Sequence, residues 1–356
     1  MWPYLIKRLL LMLPTLLGII LVTFVVLQFV PGGPVEQMIS KLKGHSGMAS
    51  ESGTAGMGTA PGANSGQQRQ LEAEQLAYLN KLYGFDQPVH VQFWNWLVKL
   101  FTFDFGESYY HNKTVVELIK EKLPVSISLG GWSFVIVYLT CIPLGIAKAV
   151  RHGSRFDSIS SIIILVGYSI PGFVLGIFLI VLFGGGSFWD VFPLRGLTSD
   201  GFAEMSAMEQ VMDYLWHLVL PLICYVIGSF SVLTLITKNS FLDEINKQYV
   251  YTARAKGLPE RTVLWKHVFR NAVIPVILGF PGAFLGLFFS GSLLIETLFS
   301  LDGLGLLSYE SIISRDYPVV MSTLFFFSLL ALVSNLLADL SLILVDPRIS
   351  FESAPR

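Results

Sequence analysis

The chain has 356 residues, 53% of them hydrophobic and 14% charged, with a formal net charge of −1. Soluble domains carry about a quarter charged residues, so an ordinary soluble domain is excluded and an all-α integral membrane protein is indicated. No strong net charge invites nucleic acid, and the two cysteines, Cys141 and Cys224, lie in apolar segments and define no disulfide framework.

Six apolar segments reach spanning length, approximately 9–30, 125–147, 159–183, 217–237, 272–295 and 319–345. The first covers roughly 33 Å as a helix, against about 30 Å of hydrocarbon. Lys7 and Arg8 precede it as they would in a signal peptide. The run is too long for one, however, and Val30-Pro31-Gly32 is a poor cleavage site, so an uncleaved first helix is expected.

The loop from 31 to 124 is divided. Residues 44–68 contain almost no large apolar side chain and form a Gly/Ser-rich insertion that lacks the means to bury surface. A helix is expected over 70–83, stopped by Gly84. A second, near Val89 to Phe101, places Phe93, Trp96, Leu97, Leu100 and Phe101 on one face, suited to the membrane surface or another subunit. Thr114 and Glu117 have capping-box spacing and open a third short helix toward Leu123.

Orientation follows from the short loops. Lys148, Arg151 and Arg155 follow the second span, and Lys238, Lys247, Arg254, Lys256, Arg261, Lys266 and Arg270 follow the fourth, whereas the alternate loops offer only Arg195 and Arg315. Both termini and the 238–271 loop are therefore expected in the cytoplasm, and the 31–124 loop outside.

The spans carry Pro14, Pro143, Pro171, Pro221, Pro275 and Pro281, and the Gly172/Gly176 and Gly282/Gly286 pairs have the spacing that lets helices approach closely. Ionisable groups are scarce: Asp339 and Glu296 stand near the ends of their segments. An ion-coupled transporter usually keeps such a group at mid-membrane. The six histidines show no metal-ligand spacing, and no Gly-Lys pair exists to build a phosphate-binding loop. His217 and His267 are expected as interfacial side chains. Any ATP must be bound by another chain.

The most informative stretch is QYVYTARAKGLPERTVLWKHVFRNAVIPV, Gln248 to Val276, too polar to cross a bilayer but flanked by spans. Gly257 and Pro259 divide it into two short helices. Ile245, Tyr249, Thr252 and Ala253 are expected on one face of the first helix, and Leu264, Trp265, Val268 and Phe269 on one face of the second. Basic residues crowd the remainder. Such a loop is either a plain cytoplasmic tether or a docking element.

From Tyr251 this stretch resembles the EAA loop of permease subunits in binding-protein-dependent ABC importers, in the form of the dipeptide and oligopeptide subfamily. PGGP (31–34), YGFDQPV (83–89), FDFGES (103–108), GLGLLSYESIISRDYPVV (303–320) and VDPRI (345–349) are similar to that subfamily in the same order. FPLRG (192–196), TKNSFLDE (237–244) and GSLLIE (291–296) resemble more narrowly one branch of it, which also has a long Gly-rich insertion in the first outer loop. Where the general pattern begins Glu-Ala-Ala, this chain has Tyr251, Thr252 and Ala253, so the contact of the missing Glu is not carried over.

The resemblance implies a type I ABC importer permease fold with six transmembrane helices and a partly helical periplasmic first loop. Residues 1–30 would form the first helix, 31–124 the periplasmic loop, 125–345 the transmembrane domain and 346–356 a cytoplasmic tail. It further implies a bacterial inner-membrane location, a second homologous permease, one or two cytoplasmic ABC ATPases that bind ATP-Mg, a periplasmic peptide-binding protein and surrounding lipid. Tyr249, Tyr251, Thr252, Ala253, Arg254, Lys256, Gly257 and Leu258 would form the ATPase-coupling loop. The chain would be a transport subunit with no cofactor or catalytic site of its own. An ATP-independent secondary transporter or channel is the alternative, and a membrane-embedded hydrolase lacks an evident nucleophile and base.

Overall fold

The computed structural model describes residues 2–29, 81, 86–184, 188–286 and 292–345. The expected insertion 44–68, the expected helix 70–83 and the tail 346–356 lie wholly or almost wholly outside them. Helices dominate: α1 (Trp2–Phe29), α2 (Val89–Phe101), α3 (Val115–Val150), α4 (Arg155–Ser169), α5 (Gly172–Phe183), α6 (Ala207–Ile245), α7 (Gln248–Ala255), α8 (Glu260–Ala272), α9 (Ile274–Gly286), α10 (Leu293–Leu298), α11 (Leu304–Ser314) and α12 (Tyr317–Val345). Among the described residues, β-structure is limited to an isolated bridge between Glu107 and Thr114.

Four helices are long and apolar enough to cross a membrane, within α1, α3, α6 and α12, and two bent pairs raise the number to 6 if each pair is one span. One pair is α4 with α5, bent by 93°; the other is α8 with α9, bent by 53°. The third apolar segment, 159–183, which carries Pro171, is thus a broken span if the pair is one. Pro171 explains the break, because the residue before a proline is pushed out of the helical region, and Ile170 is extended at φ −94°, ψ 116°. In the opposite direction, the capping box of Thr114 and Glu117 forms, but the helix it opens does not stop near Leu123. It continues through Pro124 and Pro143 as α3.

The chain divides into two compact units. The smaller comprises Met12–Leu118 and Ser308–Ser328. Within it α2 turns its apolar face onto α1, with Phe24 at 5.2 Å from Phe93 and 6.0 Å from Trp96. The helix expected to meet lipid or another subunit therefore packs on its own first span, and Phe101 departs from the predicted face by being exposed. In the same unit the fully buried Asp316 accepts hydrogen bonds from the Ser108 hydroxyl and, at 3.1 Å, the Tyr109 amide. This ties the FDFGES turn to the start of α12.

The larger unit comprises Met1–Leu11, Ile119–Leu307 and Leu329–Arg356 and is built around α6. The broken span packs closely on that helix. A Cβ at Gly172 would lie 2.6 Å from the Cys224 carbonyl oxygen, and one at Gly176 only 2.6 Å from Leu298 Cδ2 and 3.3 Å from Cys224 Sγ. Gly172 and Gly176 thus serve close helix packing; Gly286 faces open space. The two end-of-span carboxylates have local partners. Asp339 pairs with Arg8 at 2.7 Å and accepts from the Tyr4 hydroxyl, and the fully buried Glu296 accepts the Leu306 amide at 2.7 Å. His217, expected at the membrane boundary, is buried among its own helices, with Nδ1 2.8 Å from the Asp213 carbonyl oxygen.

Candidate functional site

The segment after α6 folds as two helices joined by a tight turn. Helix α7 ends in a Schellman arrangement, in which the Gly257 amide donates to the Arg254 carbonyl at 2.9 Å and the Leu258 amide to that of Ala253 at 3.4 Å. Closing the motif requires a left-handed residue, and Gly257 supplies it at φ +78°. Pro259 then sets the entry to α8 at φ −57°. Arg254 spans the turn with a forked ion pair to Glu260, at 2.8 and 3.2 Å.

One side of this element is anchored in its own spans. Val250, Ala253, Val263, Val268 and Ala272 form a buried core with Ile146 and Ala149 of α3 and Phe241 of α6. Phe269 packs edge-on against Phe241 at 5.9 Å. The Ser240 hydroxyl donates to the Ala272 carbonyl at 2.6 Å. Tyr249 adds a polar tie: its hydroxyl donates to Glu244 and accepts from the Asn271 amide group at 3.1 Å. Burial first, and the Glu244 carboxylate second, push that hydroxyl above the ordinary tyrosine range.

The predicted faces differ from the observed ones. In α7 the inward residues are Val250 and Ala253, whereas Thr252 is exposed and Tyr249 half-buried. In α8 the stretch Val263–Val268 is a π-helix, whose wider turn brings Val263 and Val268 inward together, five residues apart, and leaves Trp265 52% exposed. Ala253 therefore sits against its own chain, and its small size serves packing beneath α7. The outward surface carries Tyr251, Thr252, Lys256, Gly257 and Leu258, continued by Trp265, Lys266 and Arg270. Tyr251 is 54% and Leu258 36% exposed. Five basic residues against the single acid Glu260 make the element strongly cationic.

Beside the turn, Ala149, Ile245, Arg254, Leu264, Trp265 and neighbouring residues line a cavity of about 360 Å³. A larger groove of about 720 Å³ opens among α3, α5, α6 and α9, lined by residues including Ser133, Tyr138, Phe173, Tyr225, Ser229 and Ser292 and, among the described residues, by no charged side chain. No group of three His, Cys, Asp or Glu residues among those described is placed to hold a metal ion.

Among the described residues the chain is a helical protein with several candidate membrane spans and a basic helix-turn-helix packed on α3 and α6. Residues 141–351 match the family described as the binding-protein-dependent transport system inner membrane component, and residues 60–130 match the family of its N-terminal segment. The chain belongs to this family of ABC transporter permeases, and it is a multi-pass inner-membrane transport component. It is 51% identical over 362 residues to the inner membrane ABC transporter permease protein YejB of Escherichia coli O157:H7, covering 99% of this chain and 100% of that one. It is 53% identical over 360 residues to the peptidoglycan transport system permease protein YejB of Agrobacterium fabrum, covering 99% of each. Identity to the oligopeptide transport system permease protein AppB of Bacillus subtilis is 32% over 349 residues, 98% of this chain and 99% of that one. The narrower branch seen in FPLRG, TKNSFLDE and GSLLIE is thus that of the YejB permeases.

Proposed function

We propose that this chain, paired with a second homologous permease, forms the pathway for peptide uptake and is driven by separate ATPase subunits docked on the outward face of α7 and the Gly257 turn. A periplasmic binding protein delivers the peptide. The basic loop and both termini face the cytoplasm, as the positive-inside rule requires, and ATP-Mg is bound by the partner ATPases. The observation that carries this reading is the division of the coupling element. Its inward face is buried among α3 and α6, while Tyr251, Lys256 and Leu258 lie on the exposed face among the described residues. An element so built transfers a push from a docked partner to the spans.

The uncharged groove among α3, α5, α6 and α9 is this subunit's share of the pathway. It offers hydroxyls and aromatic rings without a fixed charge, so side-chain charge is not selected here. Peptide cargo rests on the oligopeptide naming of the AppB relative, and peptidoglycan-derived peptides form a second reading, favoured by the name of the Agrobacterium relative. Uptake of labelled oligopeptides and of peptidoglycan peptides, compared in cells with and without this subunit, tests both. Loss of neither uptake sinks the cargo assignment. Retention of an ATPase and a second permease on purification in mild detergent supports the assembly, and a lone active oligomer that transports without ATP refutes it.

A further inference from the structure

Lys148 and Lys238, which in the sequence mark only the side of the membrane, meet on one carboxylate. Lys148 is fully buried; its ammonium lies 3.1 Å from Asp157 Oδ1 and donates to the Asp157 carbonyl at 2.9 Å, to Ser160 Oγ at 2.7 Å and to Ser161 Oγ at 2.8 Å. Lys238 grips both oxygens of the same carboxylate, at 2.7 and 2.9 Å. Asp157 also faces His152 Nδ1 at 3.1 Å and accepts the Gly153 amide at 3.2 Å. A buried ion cluster is a poor way to gain stability, because desolvation offsets the attraction, but a fully satisfied polar network holds its members in one geometry.

Its position gives that geometry a use. Lys148 adjoins Ala149 and Lys238 stands one helical turn before Phe241, and Ala149 and Phe241 are the α3 and α6 parts of the core on which the coupling helices rest. Asp157 lies in the first turn of α4. We propose that the Lys148–Asp157–Lys238 cluster is the joint that makes the ends of α3, α4 and α6 move as one body with the coupling element, so that displacement of α7 reaches all three spans. Apolar contacts alone would let these ends slide; the two lysines on one carboxylate do not. The three are positioning residues, and their role rests on the docking of ATPases at the Gly257 turn.

The test uses the whole reconstituted transporter with Lys238→Met, which leaves the Lys148–Asp157 pair neutral and internally matched. ATPase retention and ATP hydrolysis persist, transported peptide per ATP falls about ten-fold or more, the scale of ordinary allosteric coupling, and Lys238→Arg restores it. Spin labels on exposed positions, Asp243→Cys in α6 and Ser158→Cys in α4, in a background lacking Cys141 and Cys224, keep one separation through the nucleotide cycle in the parent. In Lys238→Met that separation changes between nucleotide states. A purely structural role predicts loss of melting temperature with coupling and label distances unchanged, which overturns the proposal, as does Lys238→Met coupling equal to the parent's. Failure of the unsubstituted permease to hold its ATPase would instead refute the docking reading. Should Lys238→Met not assemble, Asp157→Asn is read by the same two measurements.

Discussion

Gly257 is the position where a small change has a calculable local effect. No atom lies within 4 Å of a Cβ built there, so the Cβ of a substituted residue meets no steric obstacle and the local cost comes from the backbone at φ +78°. That conformation costs an L-residue about 1–2 kcal/mol, and less for Asn, which visits it more readily. The Arg254–Glu260 pair across the same turn is solvent-exposed, with the Glu260 side chain at 72%. Such pairs contribute about 0–1 kcal/mol, so the glycine and not the ion pair holds the turn. A loss of about 1–2 kcal/mol is small against a total of about 5–15 kcal/mol, yet it lowers the population of a local turn by a factor of about 5–30. Gly257→Val therefore leaves the permease folded and weakens ATPase docking by that factor, with Gly257→Asn milder and Glu260→Gln close to the parent. Titration of the purified ATPase onto permease in proteoliposomes, alongside peptide uptake, measures the effect. Parent-like docking and uptake in Gly257→Val would refute the reasoning.

The two faces of α7 separate in a second pair of variants. Leu258→Glu, on the exposed face, leaves the melting temperature of the isolated permease unchanged and releases the ATPase, whereas Ala253→Leu overfills the core under α7 and lowers stability by about 1–3 kcal/mol before any partner is added. Gly172→Ala drives a Cβ toward the Cys224 carbonyl and destabilises the permease by about 1–3 kcal/mol, while the same change at Gly286 is silent; thermal scans in detergent distinguish the two. Ser108→Ala leaves one oxygen of the buried Asp316 carboxylate without its hydroxyl donor, at a cost of about 1–3 kcal/mol or more, read as a lower unfolding midpoint.

Much of the fold is written locally. Apolar run lengths located the spans, the Thr114–Glu117 capping box formed as spaced, and Gly257 with Pro259 marked a turn whose geometry needs those two residues. What escaped depends on contacts distant in sequence or on backbone detail without a residue signature. The π-helical stretch of α8 has no composition of its own, so a period of 3.6 assigned Trp265 to the wrong face. Ala253 fitted either face of α7 by size, and only Ile146, Ala149 and Phe241 decide that it turns inward. Lys148 and Lys238 look like ordinary positive-inside residues because Asp157, 81 positions before Lys238, lies in another helix. The Pro171 break had a visible cause, since Ile170 precedes a proline, but a proline in a span also kinks mildly, and nothing local to that sequence sets a bend of 93°.

In the proposed assembly the outward face of the element around Gly257, and not its buried face, meets an ATPase. A photo-reactive amino acid placed singly at Tyr251, Leu258, Val250 and Ala253 in the assembled transporter tests it directly. Cross-linking to the ATPase from Tyr251 and Leu258, with Val250 and Ala253 joining only segments of this chain, is the predicted result. An ATPase adduct from the buried positions, or none from Tyr251 and Leu258, would contradict it.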